Sequence, residues 1–261
     1  MSKPTIAVHK FSSCDGCQLA LLNLGESLLA LTQLVDIKHF AEAGPVDENC
    51  KIDIAIVEGS ISTPEDINRI KKIRDNSTYL ITIGACATSG GIQALRNMQD
   101  SNQWVSELYA TPSIVNSLSN STPIRDHVTV DLELWGCPVS QKQLLGVIRS
   151  LLFGVIPEED KDKVCMECKR QQHVCVMVTK NEACMGAVTK TGCGALCPGV
   201  DRECYGCFGP AENPNTQSLA NRFQGIGMLN DEIARRFWFI NSNAEAFHKE
   251  GSLWNKNEKN D

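Results

Sequence analysis

The sequence lacks an excess of positive charge. It contains 25 Lys and Arg against 31 Asp and Glu, which gives a formal net charge of −6 at pH 7. The basic residues also form no stripe or cluster along the chain. Proteins that bind nucleic acid present a concentrated basic surface to the phosphates, so we expect no nucleic-acid partner.

The sequence also lacks the patterns of an exported or membrane protein. Residues 1–10 show no charged, then apolar, then small-residue signal architecture. The most apolar stretch, residues 144–156, is interrupted by Arg149 and is too short to cross a bilayer. We therefore expect no membrane span and a cytoplasmic, reducing location. In that compartment, clustered cysteines are metal ligands more often than disulfides.

Cysteine, in contrast, is abundant, with 13 residues in a chain of 261. Four occur singly or as a pair in the first part of the chain, eight are crowded further on, and only Cys50 is left over, without a partner at ligand spacing. Four thiolates are the usual ligand set of one iron–sulfur cluster, so the other twelve indicate three clusters. These twelve are Cys14, Cys17, Cys86, Cys137, Cys165, Cys168, Cys175, Cys184, Cys193, Cys197, Cys204 and Cys207.

Zinc is the alternative metal for the crowded cysteines. The pairs Cys165 to Cys168 and Cys204 to Cys207 have the spacing of a zinc ribbon, and a zinc-stabilised scaffold protein without redox activity would result. Four further cysteines between those pairs favour iron–sulfur clusters instead. Gly16, inside the first pair, and Pro138, after Cys137, also suit the sharp turns that cluster ligands require.

The first 157 residues alternate β-branched runs with helical patterns. Strands are predicted over 5–9, 35–39, 52–57, 79–83 and 128–134, with helices over 18–34, from Pro64 onward and over 140–153. This alternation predicts an α/β fold with a flavodoxin-like, doubly wound parallel sheet. Cys14, Cys86 and Cys137 each follow a predicted strand. Because ligands bind beyond the carboxyl ends of parallel strands, the fold would bring these cysteines to one site.

Residues 158–261 are predicted to form an irregular, ferredoxin-like iron–sulfur extension. From about Lys161 to Pro210 the periodicity fades and Gly, Pro and Cys recur every few residues. Such a segment has few large apolar residues and would need metal to order it. The last fifty residues carry several aromatic residues, among them Phe223, Phe237 and Phe247. They predict either a tail that docks on a partner or helices that pack on their own domain.

The ordered set of motifs resembles the small, electron-transferring subunit of nickel–iron hydrogenases. The motifs are C-D-G-C at 14–17, V-E-G-S at 57–60, G-A-C-A at 84–87, G-C-P at 136–138, C-M-E-C-K at 165–169, C-M-G-A-V-T-K-T-G-C at 184–193, A-L-C-P at 195–198 and C-Y-G-C-F-G-P at 204–210. The later motifs look like the cytosolic, multimeric branch, with sulfhydrogenase delta subunits as the nearest type. The resemblance covers about residues 5–210. The related quinone-reductase cluster subunit of complex I is disfavoured because it lacks an eight-cysteine extension.

The resemblance implies three 4Fe-4S clusters and divides the cysteines among them. It assigns the proximal cluster to Cys14, Cys17, Cys86 and Cys137, the medial cluster to Cys193, Cys197, Cys204 and Cys207, and the distal cluster to Cys165, Cys168, Cys175 and Cys184. An exchange of Cys175 or Cys184 between clusters stays open. Cys165 stands where membrane-bound relatives have histidine, and Cys197 supplies a fourth medial thiolate. Added thiolate charge stabilises the oxidised cluster and lowers its reduction potential.

The resemblance also implies the partners. The nickel–iron site of the family is held by cysteine pairs of a large subunit, and no cysteine follows Cys207 here, so this chain would relay electrons and a partner would perform the H2 chemistry. The expected outlet is a diaphorase module carrying FAD and NAD(P), in either direction. A deazaflavin-reducing or heterodisulfide-reductase-type partner is the alternative. Glu58 is expected either to serve a proton route or cluster loop, or to cap a strand end. His173 is expected to be no ligand.

Overall fold

A five-stranded parallel sheet organises the first part of the chain. A computed structural model describes residues 3–47, 49–158 and 160–256, and the chain divides into two units, Met1–Ile156 and Pro157–Asp261. The strands are β1 (Thr5–Lys10), β2 (Asp36–Phe40), β3 (Ile52–Glu58), β4 (Ser77–Ile83) and β5 (Leu132–Leu134). They pair in the order β2-β1-β3-β4-β5, all parallel. This is the flavodoxin-like order of a doubly wound sheet, so the predicted α/β fold is confirmed.

Helices cover both faces of the sheet and are the main regular elements of the second unit. In the first unit they are α1 (Gly16–Leu22), α2 (Glu26–Leu34), α3 (Pro64–Asp75), α4 (Gly84–Ser89), α5 (Ser101–Leu108) and α6 (Gln141–Leu152). In the second they are α7 (Val164–Arg170), α8 (Val176–Thr179), α9 (Leu196–Gly199), α10 (Thr216–Gly225), α11 (Asn230–Trp238) and α12 (Glu245–Lys256). Short 3₁₀ segments connect them at Ala41–Ala43, Ile92–Met98, Pro112–Ile114, Ile124–Asp126 and Met185–Ala187. Within the described ranges, none of these helices combines the length and apolar character that crossing a bilayer requires.

The sheet core has two apolar layers, one on each face. Ile6, Val8 and Ile56 pack on one face with helices α1 and α6. Ala55 and Val57 point to the other face, where Ile70 of α3 packs on them. Alternate residues of the same strand therefore belong to opposite layers. A continuous apolar run such as residues 54–57 of β3 is what a sheet buried on both faces requires.

Two predicted elements differ in extent. The predicted helix over residues 18–34 is two helices, because Gly25 adopts φ +56° between α1 and α2, a conformation that glycine enters without steric penalty. The predicted strand over residues 128–134 is reduced to β5. Ahead of it, the carboxylate of Asp131 accepts the Leu80 N–H at 2.7 Å. A side chain thus takes the acceptor role that a backbone carbonyl would have in the ladder.

The C-terminal helices pack within the second unit. Phe237 lies between Phe223 and Phe247, with ring centroids 6.3 and 5.8 Å away, and all three side chains are buried. The buried Asn241 side chain donates to the carbonyl of Gly206 at 2.8 Å. The aromatic residues of the tail therefore form a small core that supports the cysteine-bearing segment.

Candidate metal centres

Four cysteines of the first unit lie beyond the carboxyl ends of three strands. Cys14 and Cys17 follow β1, Cys86 lies in α4 directly after β4, and Cys137 follows β5. Two hydrogen bonds tie these segments together: the Val139 N–H donates to Cys17 Sγ at 3.4 Å, and the N–H of Ala85 donates to the carbonyl of Gly136 at 2.7 Å. Parallel strands end at one edge of the sheet, so cysteines far apart in sequence become neighbours.

Glycines keep the space beside these sulfurs open. A Cβ placed on Gly84 would lie 2.3 Å from Cys17 Sγ, and one on Gly91 would lie 2.7 Å from Cys86 Sγ. Both glycines have positive φ, +82° and +59°, which residues with a Cβ rarely adopt. A Cβ on Gly16 would come within 3.3 Å of Cys14 Sγ. The backbone at Gly16, Gly84 and Gly91 therefore lies closer to the thiols than a residue with a Cβ would allow. We call these three glycines the glycine cradle.

The electrostatics of these thiols suit binding to metal. The pKa of Cys86 is raised to about 11, chiefly by burial and to a smaller extent by the neighbouring Cys137 and Cys14. Burial and then the Glu58 carboxylate raise the pKa of Cys17. The thiols of Cys17 and Cys86 thus stay protonated until a positive charge compensates their thiolates, which is what a coordinated iron ion would provide. Four soft sulfur donors in a glycine cradle fit an iron–sulfur cluster.

Glu58 is buried at the end of β3 and fixes the loop of the first cysteine pair. Its side chain is 1% exposed. Its carboxylate accepts the backbone N–H of Cys17 at 3.0 Å and that of Gln18 at 3.2 Å. Burial raises the pKa of Glu58. The contacts correspond to the expectation that Glu58 holds the backbone of a cluster loop.

Two of the first four cysteines of the second unit also lie beside a glycine. A Cβ on Gly186 would lie 3.5 Å from both Cys165 Sγ and Cys184 Sγ. The pKa of Cys165 is raised to about 11, chiefly by burial and to a smaller extent by Cys184, Cys168 and Cys175. These four thiols are therefore electrostatic neighbours.

The last four cysteines adjoin the previous group. Burial raises the pKa of Cys204, and Cys184, Cys207 and Cys193 raise it further. Burial also raises the pKa of Cys193, with smaller contributions that include Cys197. The Cys204 N–H donates to Cys184 Sγ at 3.3 Å, so a hydrogen bond links the two groups. Cys184 therefore remains the residue whose assignment most needs a direct test.

Among the described residues, no three side chains of histidine, cysteine, aspartate or glutamate converge as ligands of one metal ion would. A cubane cluster requires a different arrangement of its ligands, because each of its four thiolates binds a separate iron atom.

Two residues outside the cysteine groups have local partners. Cys50 lies in a loop, where its thiol donates to the carbonyl of Asp47 at 3.1 Å. The ring nitrogen Nε2 of His173 lies 2.8 Å from the Gln171 side-chain oxygen. Both side chains therefore lie within hydrogen-bond distance of a neighbouring group.

Glu167 and Gln93 contact the cysteine groups although no motif predicts them. Glu167 lies between Cys165 and Cys168, but its carboxylate contacts the loop of Cys193, far along the chain. The Cys86 thiol donates to Gln93 Oε1 at 3.3 Å, and Gln93 Nε2 donates to the carbonyl of Ser12 at 2.9 Å. The one sequence signal for Glu167 is its position inside a cysteine pair. Its long-range contact leaves no local pattern.

Residues 14–151 match the family model described as NADH ubiquinone oxidoreductase, 20 Kd subunit. The chain is 33% identical to the sulfhydrogenase 2 subunit delta of Pyrococcus furiosus, over 88% of this chain and 96% of that protein. It is 31% identical to a subunit of the F420-non-reducing hydrogenase vhu of Methanococcus voltae, over 86% of this chain and 89% of that protein. A crystal structure of an NAD+-reducing NiFe-hydrogenase in the H2-reduced state superposes with a TM-score of 0.57 at 25% identity, over 60% of this chain and 96% of that one.

Proposed function

The chain belongs to the hydrogenase small subunits within the family of the NADH ubiquinone oxidoreductase 20 Kd subunit, and we propose that it is the electron relay of a cytoplasmic nickel–iron hydrogenase. It would carry electrons between the H2-activating site of a large subunit and an NAD(P)-linked flavin module. Membership already makes the chain a subunit of an oxidoreductase complex.

The grouping of the cysteines is the observation that carries this proposal. The motifs divide twelve of the thirteen free thiols into three sets of four, and Gly16, Gly84, Gly91 and Gly186 lie beside sulfurs of two of these sets. We assign one 4Fe-4S cluster to each set, with Cys14, Cys17, Cys86 and Cys137 nearest the large subunit. The two sets of the second unit form the medial and distal clusters, divided as the motifs indicate. Bound clusters would supply reversible one-electron chemistry at low potential.

The residues of the chain prepare these sites in defined ways. Glu58 holds the backbone of the Cys17 turn through two N–H groups. The Gln93 side chain joins the Cys86 thiol to the Ser12 carbonyl, which fixes the loop after β1 against α4. Cys17, Cys184 and Cys204 are buried, which keeps water away from these three residues and favours states with small net charge.

The relatives favour different outlets for the electrons. The structural relative is named as NAD+-reducing, and this favours a flavin and NAD(P) module as the partner. The Methanococcus voltae relative is named as F420-non-reducing, which disfavours a deazaflavin-reducing partner and leaves the heterodisulfide-reductase-type partner as the alternative. We propose the NAD(P)-linked module as the first candidate, with the second outlet as the alternative.

Anaerobic purification of the native complex tests the proposal. We expect the chain to copurify with a nickel-containing large subunit and a flavoprotein. Absorbance near 400 nm, typical of iron–sulfur proteins, should bleach under H2 in the complex, whereas the separated chain should bleach only with dithionite. Copurification without nickel, or a colourless complex, would contradict the proposal. A partner without flavin would favour the alternative outlet.

A further inference from the structure

Glu167 connects the two cysteine groups of the second unit. Its backbone lies in α7, between Cys165 and Cys168. Its carboxylate accepts three backbone N–H groups from the loop around Cys193: Gly192 at 3.0 Å and Gly194 at 3.1 Å on Oε1, and Ala195 at 3.1 Å on Oε2. The Cys193 thiol lies 3.8 Å from Oε2. One side chain of the first group thus binds the backbone of the second.

The loop that Glu167 holds has an unusual conformation. Gly192, Gly194 and Ala195 have φ values of +130°, +69° and +50°. Ala195 is fully buried and carries a Cβ in a region that such residues rarely enter. Successive N–H groups in such turns form a concave site for an anion. The carboxylate fills this site, so the strained turn and the anion stabilise each other.

A second contact from the same segment supports this arrangement. Gln171, directly after α7, donates its side-chain N–H to the carbonyl of Gly194 at 3.0 Å. The loop is therefore held through its N–H groups by Glu167 and through a carbonyl by Gln171. Both anchors come from the segment that carries Cys165 and Cys168.

We propose that Glu167 positions the Cys193 loop and lowers the reduction potential of the cluster assigned to Cys193, Cys197, Cys204 and Cys207. This inference rests on the proposed function, because it presupposes that cluster. A reduced cluster carries one more negative charge than an oxidised one, so a carboxylate beside a ligand sulfur disfavours reduction. The carboxylate also occupies three N–H groups that could otherwise hydrogen-bond cluster sulfur, and such bonds raise the potential. Both effects act in the same direction.

The variants separate charge from positioning. E167Q keeps the size of the side chain and one acceptor oxygen but removes the charge. E167D keeps the charge on a side chain shorter by one methylene. E167A removes all three acceptor contacts. The control is E212Q, which changes the net charge equally at an exposed glutamate that pairs with Lys161.

The experiment is an EPR-monitored redox titration of the full chain in its complex, together with iron analysis. For E167Q we expect about twelve iron atoms per chain, as three four-iron clusters require. The midpoint potential of one cluster should rise. The ratio of oxidised to reduced cluster at a fixed potential should fall at least tenfold, which corresponds to a rise of about 59 mV for a one-electron couple. E167D should lie between E167Q and the native protein, and E212Q should leave all midpoints unchanged. E167A should lose iron, down to about eight atoms per chain.

The outcomes distinguish this inference from the proposed function. Full iron with three unchanged midpoints in E167Q would refute the electrostatic role of Glu167. Full iron and native midpoints in E167A would refute its positioning role. Both results would leave the relay intact. Absence of iron from the native chain would refute the relay itself, and this inference with it.

Discussion

A methyl group added at Gly84 tests whether the glycine cradle determines cluster binding in the first unit. Gly84 begins α4 with φ +82°, and a Cβ there would lie 2.3 Å from Cys17 Sγ and 3.5 Å from the Gly136 carbonyl oxygen. Cys17 is buried and its sulfur accepts the Val139 N–H. In Gly84→Ala the sulfur must therefore move away from the position where a ligand is needed.

The expected size of the effect follows from two contributions. An alanine in the left-handed region costs about 1–2 kcal/mol, and displacing a packed side chain costs about 1–3 kcal/mol. Their sum, about 2–5 kcal/mol, corresponds to a fall in Tm of roughly 4–20 °C for a domain of this size. Because Cys17 is one of four proposed ligands, the iron content should also fall from about twelve to about eight atoms per chain.

The assay compares Gly84→Ala with Gly146→Ala, under anaerobic conditions, by iron analysis and thermal unfolding. Gly146 lies on the exposed side of α6, and a Cβ there meets nothing within 4 Å. Alanine in a helix interior is better than glycine by about 0.5–1 kcal/mol, so this control should keep its iron and unfold at the same or a higher temperature. Full iron and an unchanged Tm in Gly84→Ala would refute the role of the cradle.

Three further predictions concern single residues. Glu58→Ala leaves two buried N–H groups of α1 unsatisfied, which lowers the free energy of unfolding by about 1–3 kcal/mol for each group. The Tm of Glu58→Ala should therefore fall further than that of Glu58→Gln. An unchanged Tm in Glu58→Ala would contradict the contact. His9 is buried and stacks on His39, and burial, more than the charges of His39 and Arg69, lowers its pKa to about 3. The unfolded state therefore binds more protons between pH 3 and 6.5, and the free energy of unfolding should fall by about 2 kcal/mol from pH 7 to pH 5. This slope should be smaller in His9→Phe, and equal slopes in the two proteins would show that His9 does not cause it. Cys197→Ala removes one of four proposed thiolates and should convert that site towards a three-iron cluster with an EPR signal in the oxidised state; a native spectrum would overturn the ligand division.

The sheet and the first cysteine group could be predicted because their signals are local. Within β3, residues 54–57 are all buried and all apolar, as a sheet covered on both faces requires. Cys14, Cys86 and Cys137 each follow a strand, and parallel topology brings strand ends together. The break before Gly25 is not evident from the sequence because the apolar period continues across it, although Gly25, with positive φ, separates α1 from α2.

The contacts inside the second unit could not be predicted in the same way. Nothing near Glu167 in sequence indicates that it binds the backbone at Gly192, Gly194 and Ala195. The positive φ of Ala195 is likewise not encoded by its residue type. The division of these eight cysteines between two clusters rested on motif resemblance, and Cys184 contacts the backbone of Cys204, so local spacing alone does not determine it.

The central claim is that twelve of the thirteen cysteines hold three four-iron clusters. It is tested most directly by iron, zinc and sulfide analysis of the anaerobically purified chain beside its Cys50→Ser variant, in which the cysteine outside the three groups is removed. Both proteins should contain about twelve iron and twelve sulfide per chain and absorb broadly near 400 nm. A colourless protein with about two or three zinc ions per chain would contradict the account.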